Sequence, residues 1–318
     1  MEPQGRFLYL VPGFCPFVPG VSLQNSSNMR QHTKPAWLDA ELYPFVSRFF
    51  SCGEHQLHYI DEGSGPVLLF VHGTPSWSFD FRQVIAALRK DYRCIAVDHM
   101  GFGLSDKPKD YAYTPQQHAA NLSQLIRSLR LEAITLVMHD FGGPIGFAAA
   151  LEQPQRFARL VFMNTWLWNS EGEPGFEKLR KVLRSPLLPV LYRWFNFSAR
   201  FLLPTVYGPG KRPSKEVLRQ YRKPFGKASQ REGTIGFARS LLRDQDWFQS
   251  LWEQREQFAP LPKLLIWGMS DPMIGAAYLS TFQEAFPDAP TVALEGTGHF
   301  PQEESPAEVC QALRQLIE

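Results

Sequence analysis

At 318 residues, with 44% hydrophobic, 14% aromatic and 20% charged side chains, the chain is neither a disordered polymer nor a fibre, and it is long enough to bury a sizeable core. Its formal net charge of +2 carries no whole-chain signature of a nucleic-acid binder. That sum hides a segregation: Lys178 to Glu232 holds fourteen basic residues against two acids, Glu216 and Glu232, a net of +12, which leaves −10 on the rest. Residues 1–28 include an apolar stretch, Phe7 to Leu23, broken by Pro12, Pro16 and Pro19, with Glu2 where a secretory leader would carry positive charge. We expect a poorly ordered extension there, with Met29 as an alternative start. From Gln56 onward, short β-branched runs alternate with helix-period segments, the pattern of an α/β fold with a mostly parallel sheet covered by helices. Strands are predicted at Gln56 to Asp61, Val67 to Val71, Cys94 to Val97, Ile134 to Met138, Leu160 to Met163, Leu264 to Trp267 and Val292 to Leu294. Helices are predicted at Phe81 to Arg89, Pro115 to Leu129, Pro144 to Glu152, Ala276 to Phe286 and Pro306 to Ile317. The alternation stops after Met163 and resumes near Pro262. Between them, helices are predicted at Phe176 to Val190, Ser214 to Tyr221, Glu232 to Arg243 and Trp247 to Arg255, an inserted helical cap. The expected organisation is therefore an extension (1–28), a core (29–164 and 260–318) and a cap (165–259).

Four dispersed cysteines, Cys15, Cys52, Cys94 and Cys310, show no zinc spacing and are too few for a disulfide scaffold, which fits a reducing, cytoplasmic setting. No apolar run approaches the roughly 18 residues of a spanning helix. No nucleic-acid partner and no membrane span are expected, and the predicted cap, rich in Phe, Leu and Trp, would line an apolar pocket for a small apolar substrate.

The chemistry concentrates in loops after predicted strands. Leu136-Val137-Met138-His139-Asp140-Phe141-Gly142-Gly143-Pro144 runs from strand to helix, the context of a nucleophile elbow with Asp140 at its centre. Met138 stands where that pattern has its first Gly. Phe70-Val71-His72-Gly73-Thr74-Pro75 follows an earlier strand, where a loop donates a backbone N–H to an oxyanion hole; the N–H of Phe141 would be the second donor. Asp271 follows the strand ending at Trp267, and His299 sits in the loop after the last strand. Asp271 or His299 alone reads as an ordinary loop residue. Together with Asp140 they stand in the chain order nucleophile, acid, histidine.

These motifs, with Asp98-His99-Met100-Gly101-Phe102-Gly103-Leu104-Ser105-Asp106-Lys107-Pro108 and Gly298-His299-Phe300-Pro301-Gln302-Glu303-Glu304, resemble the α/β-hydrolase superfamily from about residue 30 to the end. The likeness is to its haloalkane dehalogenase and epoxide hydrolase branch, whose nucleophile is Asp. Asp271 as acid, with Asn164 and no carboxylate after the preceding strand, resembles dehalogenases whose acid follows the later strand. The resemblance implies displacement of halide by Asp140 and hydrolysis of the ester by water that His299 deprotonates, with no metal or organic cofactor.

The chain departs from that family pattern beside the nucleophile. Such dehalogenases usually place Trp there to donate to the departing halide, and this chain has Phe141, which has no donor. Thr74 through its hydroxyl, or Trp77, Trp166 or Trp168 through an indole, are the candidate replacements, the last two at the exit toward the cap. An epoxide hydrolase, with lid tyrosines drawn from Tyr192, Tyr207 and Tyr221, is the alternative, although Phe237 stands where that family often has a tyrosine. A hydrolase fold that binds a small ligand without turnover is a further alternative.

Overall fold

The computed structural model describes residues 34–318; the extension expected over residues 1–28 lies outside them. Eight strands form one sheet: β1 (Arg48–Cys52), β2 (His55–Glu62), β3 (Val67–Val71), β4 (Arg93–Val97), β5 (Ile134–Asp140), β6 (Phe157–Thr165), β7 (Lys263–Gly268) and β8 (Thr291–Leu294). Their spatial order is β1-β2-β4-β3-β5-β6-β7-β8. The β1/β2 and β2/β4 pairs are antiparallel and the other five are parallel. β5 lies near the middle and every residue in it is buried, which explains why it reads as one continuous apolar run. The sequence reading missed β1, whose half-exposed Arg-Phe-Phe-Ser-Cys run at the sheet edge has no clean alternation.

Helices α1 (Arg82–Leu88), α2 (Pro115–Ser128) and α3 (Gly142–Leu151) connect the strands of the first half. The Thr114 hydroxyl accepts the Gln117 N–H and Pro115 occupies the first helical position, so α2 begins where capping chemistry places it. Between β6 and β7 lie the cap helices α4 (Pro174–Leu183), α5 (Leu188–Phe195), α6 (Lys215–Arg222), α7 (Glu232–Arg243) and α8 (Gln245–Glu253). α9 (Ala276–Ala285), α10 (Pro301–Glu304) and α11 (Pro306–Ile317) complete the core. One expectation needs correction: the helix predicted over Phe176 to Val190 is two helices. Pro186 has no N–H and disfavours helical geometry at Ser185, so the chain turns between Leu183 and Leu188. No helix among the described residues is long and apolar enough to cross a membrane.

Candidate active site

The functional loops leave the carboxyl ends of β3, β5, β7 and β8, where open parallel sheets place their ligands. Asp140 ends β5 with φ at 51°, a left-handed conformation that a tight strand-to-helix elbow imposes. The elbow is built from its neighbours. Thr165 Oγ1 donates to the Asp140 carbonyl at 2.6 Å. Met138 packs against α3, where a Cβ added at Gly146 would lie 3.0 Å from Met138 Cγ. Gly146 thus provides close packing that Met138 itself cannot. A Cβ at Gly73 would collide with the Asp140 carboxylate, so the β3 loop reaches the nucleophile only because that residue is glycine.

The two oxygens of Asp140 have different surroundings. Oδ1 accepts the Thr74 backbone N–H at 2.8 Å. Oδ2 faces His299 Nε2 at 3.5 Å, and this nitrogen has no hydrogen-bond partner. On the other side of the ring, His299 Nδ1 lies 2.7 Å from Asp271 Oδ2. Burial alone would lower the His299 pKa, but the Asp271 charge and hydrogen bond, together with the facing Asp140 carboxylate, raise it to about 10. Burial alone would raise the Asp271 carboxyl. The His299 charge and hydrogen bond, with the backbone N–H groups of Met273 and Ile274, hold it below its ordinary value instead.

Asn164 is the residue that sequence reasoning underread, treating it only as the absence of a carboxylate. Its Nδ2 donates to Asp271 Oδ2 at 3.0 Å and to the carbonyls of Gly268 and Ile274 at 3.1 Å, while Oδ1 accepts the Gly268 N–H at 2.8 Å. It therefore locks the acid loop to β7. The His299 loop is tied to the cap, since the His299 N–H donates to the Val206 carbonyl at 2.8 Å. Buried Glu304 accepts the N–H groups of both Gly208 and Gly298. No sequence motif announces these long-range ties.

A cavity of about 820 Å³, including solvent at its mouth, joins the site to the cap. Thr74, Asp140, Phe141, Trp166 and His299 line its core side, and Leu183, Tyr192 and Leu241 belong to its cap side. Phe141 stacks on Phe237 with ring centroids 4.4 Å apart and meets Trp166 edge-on at 5.0 Å. Trp166 Nε1 and Thr74 Oγ1 are buried without partners. The other two candidate tryptophans point elsewhere. The Trp77 indole donates to the Gln220 carbonyl at 3.2 Å and stacks on Phe79, outside the cavity. Trp168 packs on Trp252 and Phe282 and does not line the cavity either. Among the lid tyrosines, Tyr192 lines the cavity, whereas Tyr207 and Tyr221 lie beside Phe300 with rings 5.6 and 6.2 Å away and outside it. The arrangement brings together a carboxylate, an imidazole whose ring a second carboxylate orients, a backbone N–H on the first carboxylate, and two residues with unpartnered polar atoms among those lining an apolar chamber.

Residues 66–306 match the family model of the alpha/beta hydrolase fold. The haloalkane dehalogenase 2 of Mycobacterium tuberculosis is 36% identical over 281 residues, covering 86% of this chain and 96% of that protein. A cis-3-alkyl-4-alkyloxetan-2-one decarboxylase from Shewanella oneidensis is 34% identical over 287 residues, covering 87% and 89% of the two. Among solved structures, a point mutant of the haloalkane dehalogenase DatA from Agrobacterium tumefaciens superposes with a TM-score of 0.79 at 26% identity, covering 88% of this chain and 100% of the other.

Proposed function

The chain belongs to the α/β-hydrolase family, and from that premise we propose that it is a haloalkane dehalogenase working through an aspartyl ester. The observation that carries this reading is the pair of environments around Asp140: one oxygen held by the Thr74 N–H, the other free toward the cavity and His299. A carboxylate attacking an acyl carbon would form an anhydride, whereas displacement at an sp³ carbon forms an ordinary ester. In the first step Asp140 Oδ2 bonds to the substrate carbon as the carbon–halogen bond breaks and its electron pair leaves with the halide. Trp166 Nε1–H and the Thr74 hydroxyl are the donors available to that anion, in place of the indole that Phe141 lacks.

Ester formation removes the Asp140 charge that helps hold the imidazolium, so His299 gives up its proton more readily and becomes a base. Its Nε2 then takes a proton from water as the water oxygen attacks Asp140 Cγ. Oδ1 becomes the oxyanion and already faces the Thr74 N–H; the Phe141 N–H is the second donor in this reading. Collapse expels the alkoxide, which His299 protonates. Alcohol, halide and one proton are the products. Asp271 and, through it, Asn164 keep the ring aligned throughout.

An epoxide hydrolase would need two hydroxyls over the nucleophile, and Tyr192 alone lines the cavity among the lid tyrosines considered. The intact triad favours turnover over passive ligand binding. The free thiols of Cys52, Cys94 and Cys310 agree with a cytoplasmic setting.

Halide release from a series of bromo- and chloroalkanes, run beside diol formation from epoxides and alkene formation from a dialkyl oxetanone, tests the proposal. Halide is expected, with the other two products absent. Absence of halide from every alkyl halide, or faster turnover of the epoxide or the oxetanone, would overturn it.

A further inference from the structure

The cap carries a second surface that the hydrolytic site leaves unused. From Lys178 to Lys215 the sequence contains nine basic residues and no Asp or Glu. Seven large hydrophobic side chains are exposed among the described residues, and six of them fall between Val182 and Phe201. Leu187, Val190 and Trp194, at positions i, i+3 and i+7 along α5 and its first flanking residue, are 62%, 46% and 66% exposed. Phe195 at 54% and Phe201 at 53% follow them. The same helix buries Leu188 and Tyr192 against α7 residues Ile235 and Ala238. It is thus apolar on both sides, with only one side covered by protein. A soluble helix normally shows a polar outer face, and a contiguous exposed apolar patch marks an interaction surface.

Only some of the basic residues in this stretch are paired with acids. Arg180 pairs with Glu171 and Glu177, and Arg193 with Glu232. Lys181, Arg184 and Arg200 are exposed and form no salt bridge among the described residues. Exposed Leu, Val and Trp along one face of α5, followed in the chain by exposed Phe195 and Phe201 and flanked in sequence by Lys and Arg, have the composition of helices that lie in the interface of an anionic bilayer. A second copy of the same face is disfavoured, because a two-fold contact would bring together two sets of Lys181, Arg184 and Arg200 with no acid from Lys178 to Lys215 to pair them.

We propose that this face of the cap docks on an anionic lipid membrane, with Leu187, Trp194, Phe195 and Phe201 entering the headgroup boundary and Lys181, Arg184 and Arg200 meeting the lipid phosphates. The placement suits an enzyme for apolar substrates. Leu183 and Tyr192, which line the cavity, belong to α4 and α5, the helices that also carry Lys181, Trp194 and Phe195. Membrane docking does not depend on which reaction the cavity performs.

The test is sedimentation of the full chain with phosphatidylcholine vesicles, with and without phosphatidylserine, at low and high salt. Binding is expected to be about tenfold or more tighter with phosphatidylserine, and high salt should weaken it without abolishing it, because the apolar contribution is not screened. Two variants, Trp194→Ser with Phe201→Ser and Lys181→Glu with Arg184→Glu, should each lose most of the binding while keeping the thermal unfolding transition and the turnover of a water-soluble substrate. Equal binding to both vesicle types, binding retained by both variants, or no binding to any vesicle would overturn the proposal. So would self-association without lipid that Trp194→Ser with Phe201→Ser abolishes, since the face would then serve a second copy of the chain.

Discussion

The core and the cap are specified by different physics. In the core, parallel strand ladders set the register, β5 and β7 are buried along their whole length, and Asp140, Asp271 and His299 all lie at or just beyond strand ends. In the cap, short helices are broken by Pro186 and by the turns after Asn196 and Gly210, and their positions depend on side-chain packing and a few ties such as Glu304 to Gly208. The charge division follows the same line, with the basic excess of Lys178 to Glu232 lying in the cap. Chemistry needs sub-ångström placement, which a strand ladder supplies; substrate selection tolerates adjustment, which packed helices allow. Substitutions in the core should therefore change rates, and substitutions in the cap should change which substrates are accepted.

The largest expected effect is at the nucleophile. Asp140→Asn should lower turnover by about 10³-fold or more with little change in the unfolding transition. Asn is the better replacement than Ala because it tolerates the left-handed backbone at this position. Residual turnover within tenfold of the parent would remove Asp140 from its assigned role. Next is His299→Phe, expected to cost about 10²- to 10⁴-fold in steady-state turnover while leaving the first step intact. One equivalent of halide should appear in a burst, and a mass spectrum should show the alkyl adduct on Asp140; a spectrum without adduct would sink the covalent mechanism.

Trp166 lies where core passes into cap, and its effect should fall between the two regimes. Trp166→Phe removes the unpartnered N–H but keeps a ring against Phe141 and Phe248. A hydrogen bond to a forming anion contributes on the order of 1.5–3 kcal/mol, so kcat/KM should fall roughly 10- to 100-fold, more for chloride than for bromide leaving groups. An unchanged rate would leave Thr74 as the donor. Within the cap proper, Leu183→Phe should narrow the chamber, raising KM for long alkyl halides a few-fold while short ones keep their kcat. A uniform loss across chain lengths would contradict the division of labour between core and cap.

The division also explains what was legible in the sequence. Seven of the eight strands were readable, six of them because the strands of the parallel part of the sheet are short apolar runs closed by turns. The α7 limits, Glu232–Arg243, were predicted to the residue because Glu at its start and Asp244 beyond its end mark them. The residues of the triad could be proposed from chain order and strand-end position alone. What stayed hidden depends on contacts far apart in sequence: Asn164 holding Asp271 across 107 positions, and Trp166, not Trp77 or Trp168, lining the cavity with its N–H unpartnered. Side-chain direction at the exit from β6 is decided by packing against α8 and α9, which no local pattern encodes. The exposed apolar face of α5 was also illegible. Helical spacing alone predicts a covered inner face and a solvated outer one, and Trp194 departs from that rule.

The smallest expected effect concerns stability against pH and separates the two regions by titration. His299 is held protonated by Asp271 and Asp140 with its pKa raised to about 10, well above an unfolded value near 6.5. The folded state then binds a proton that the unfolded state releases, so this stabilisation is complete below pH about 6.5 and is lost as pH rises toward about 10. Other core groups shift as well. Lys107, lowered to about 8 by burial, contributes with the opposite sign between about 8 and its ordinary value. The absolute slope therefore mixes several groups, and the informative quantity is a difference between two proteins. Asp271→Asn removes the largest influence that raises His299, so its denaturant-unfolding free energy should fall less than the parent's between pH 7 and pH about 9.5. Neither Lys181 nor Arg184 pairs with His299, whose ion-pair partners are Asp140 and Asp271. Charge reversal at Lys181 and Arg184 should accordingly leave the pH slope of the parent intact. Parallel slopes for the parent and Asp271→Asn would mean that the proton is not held at His299, whereas a slope changed by the cap variant would tie the two regions more closely than their shared hydrogen bonds suggest.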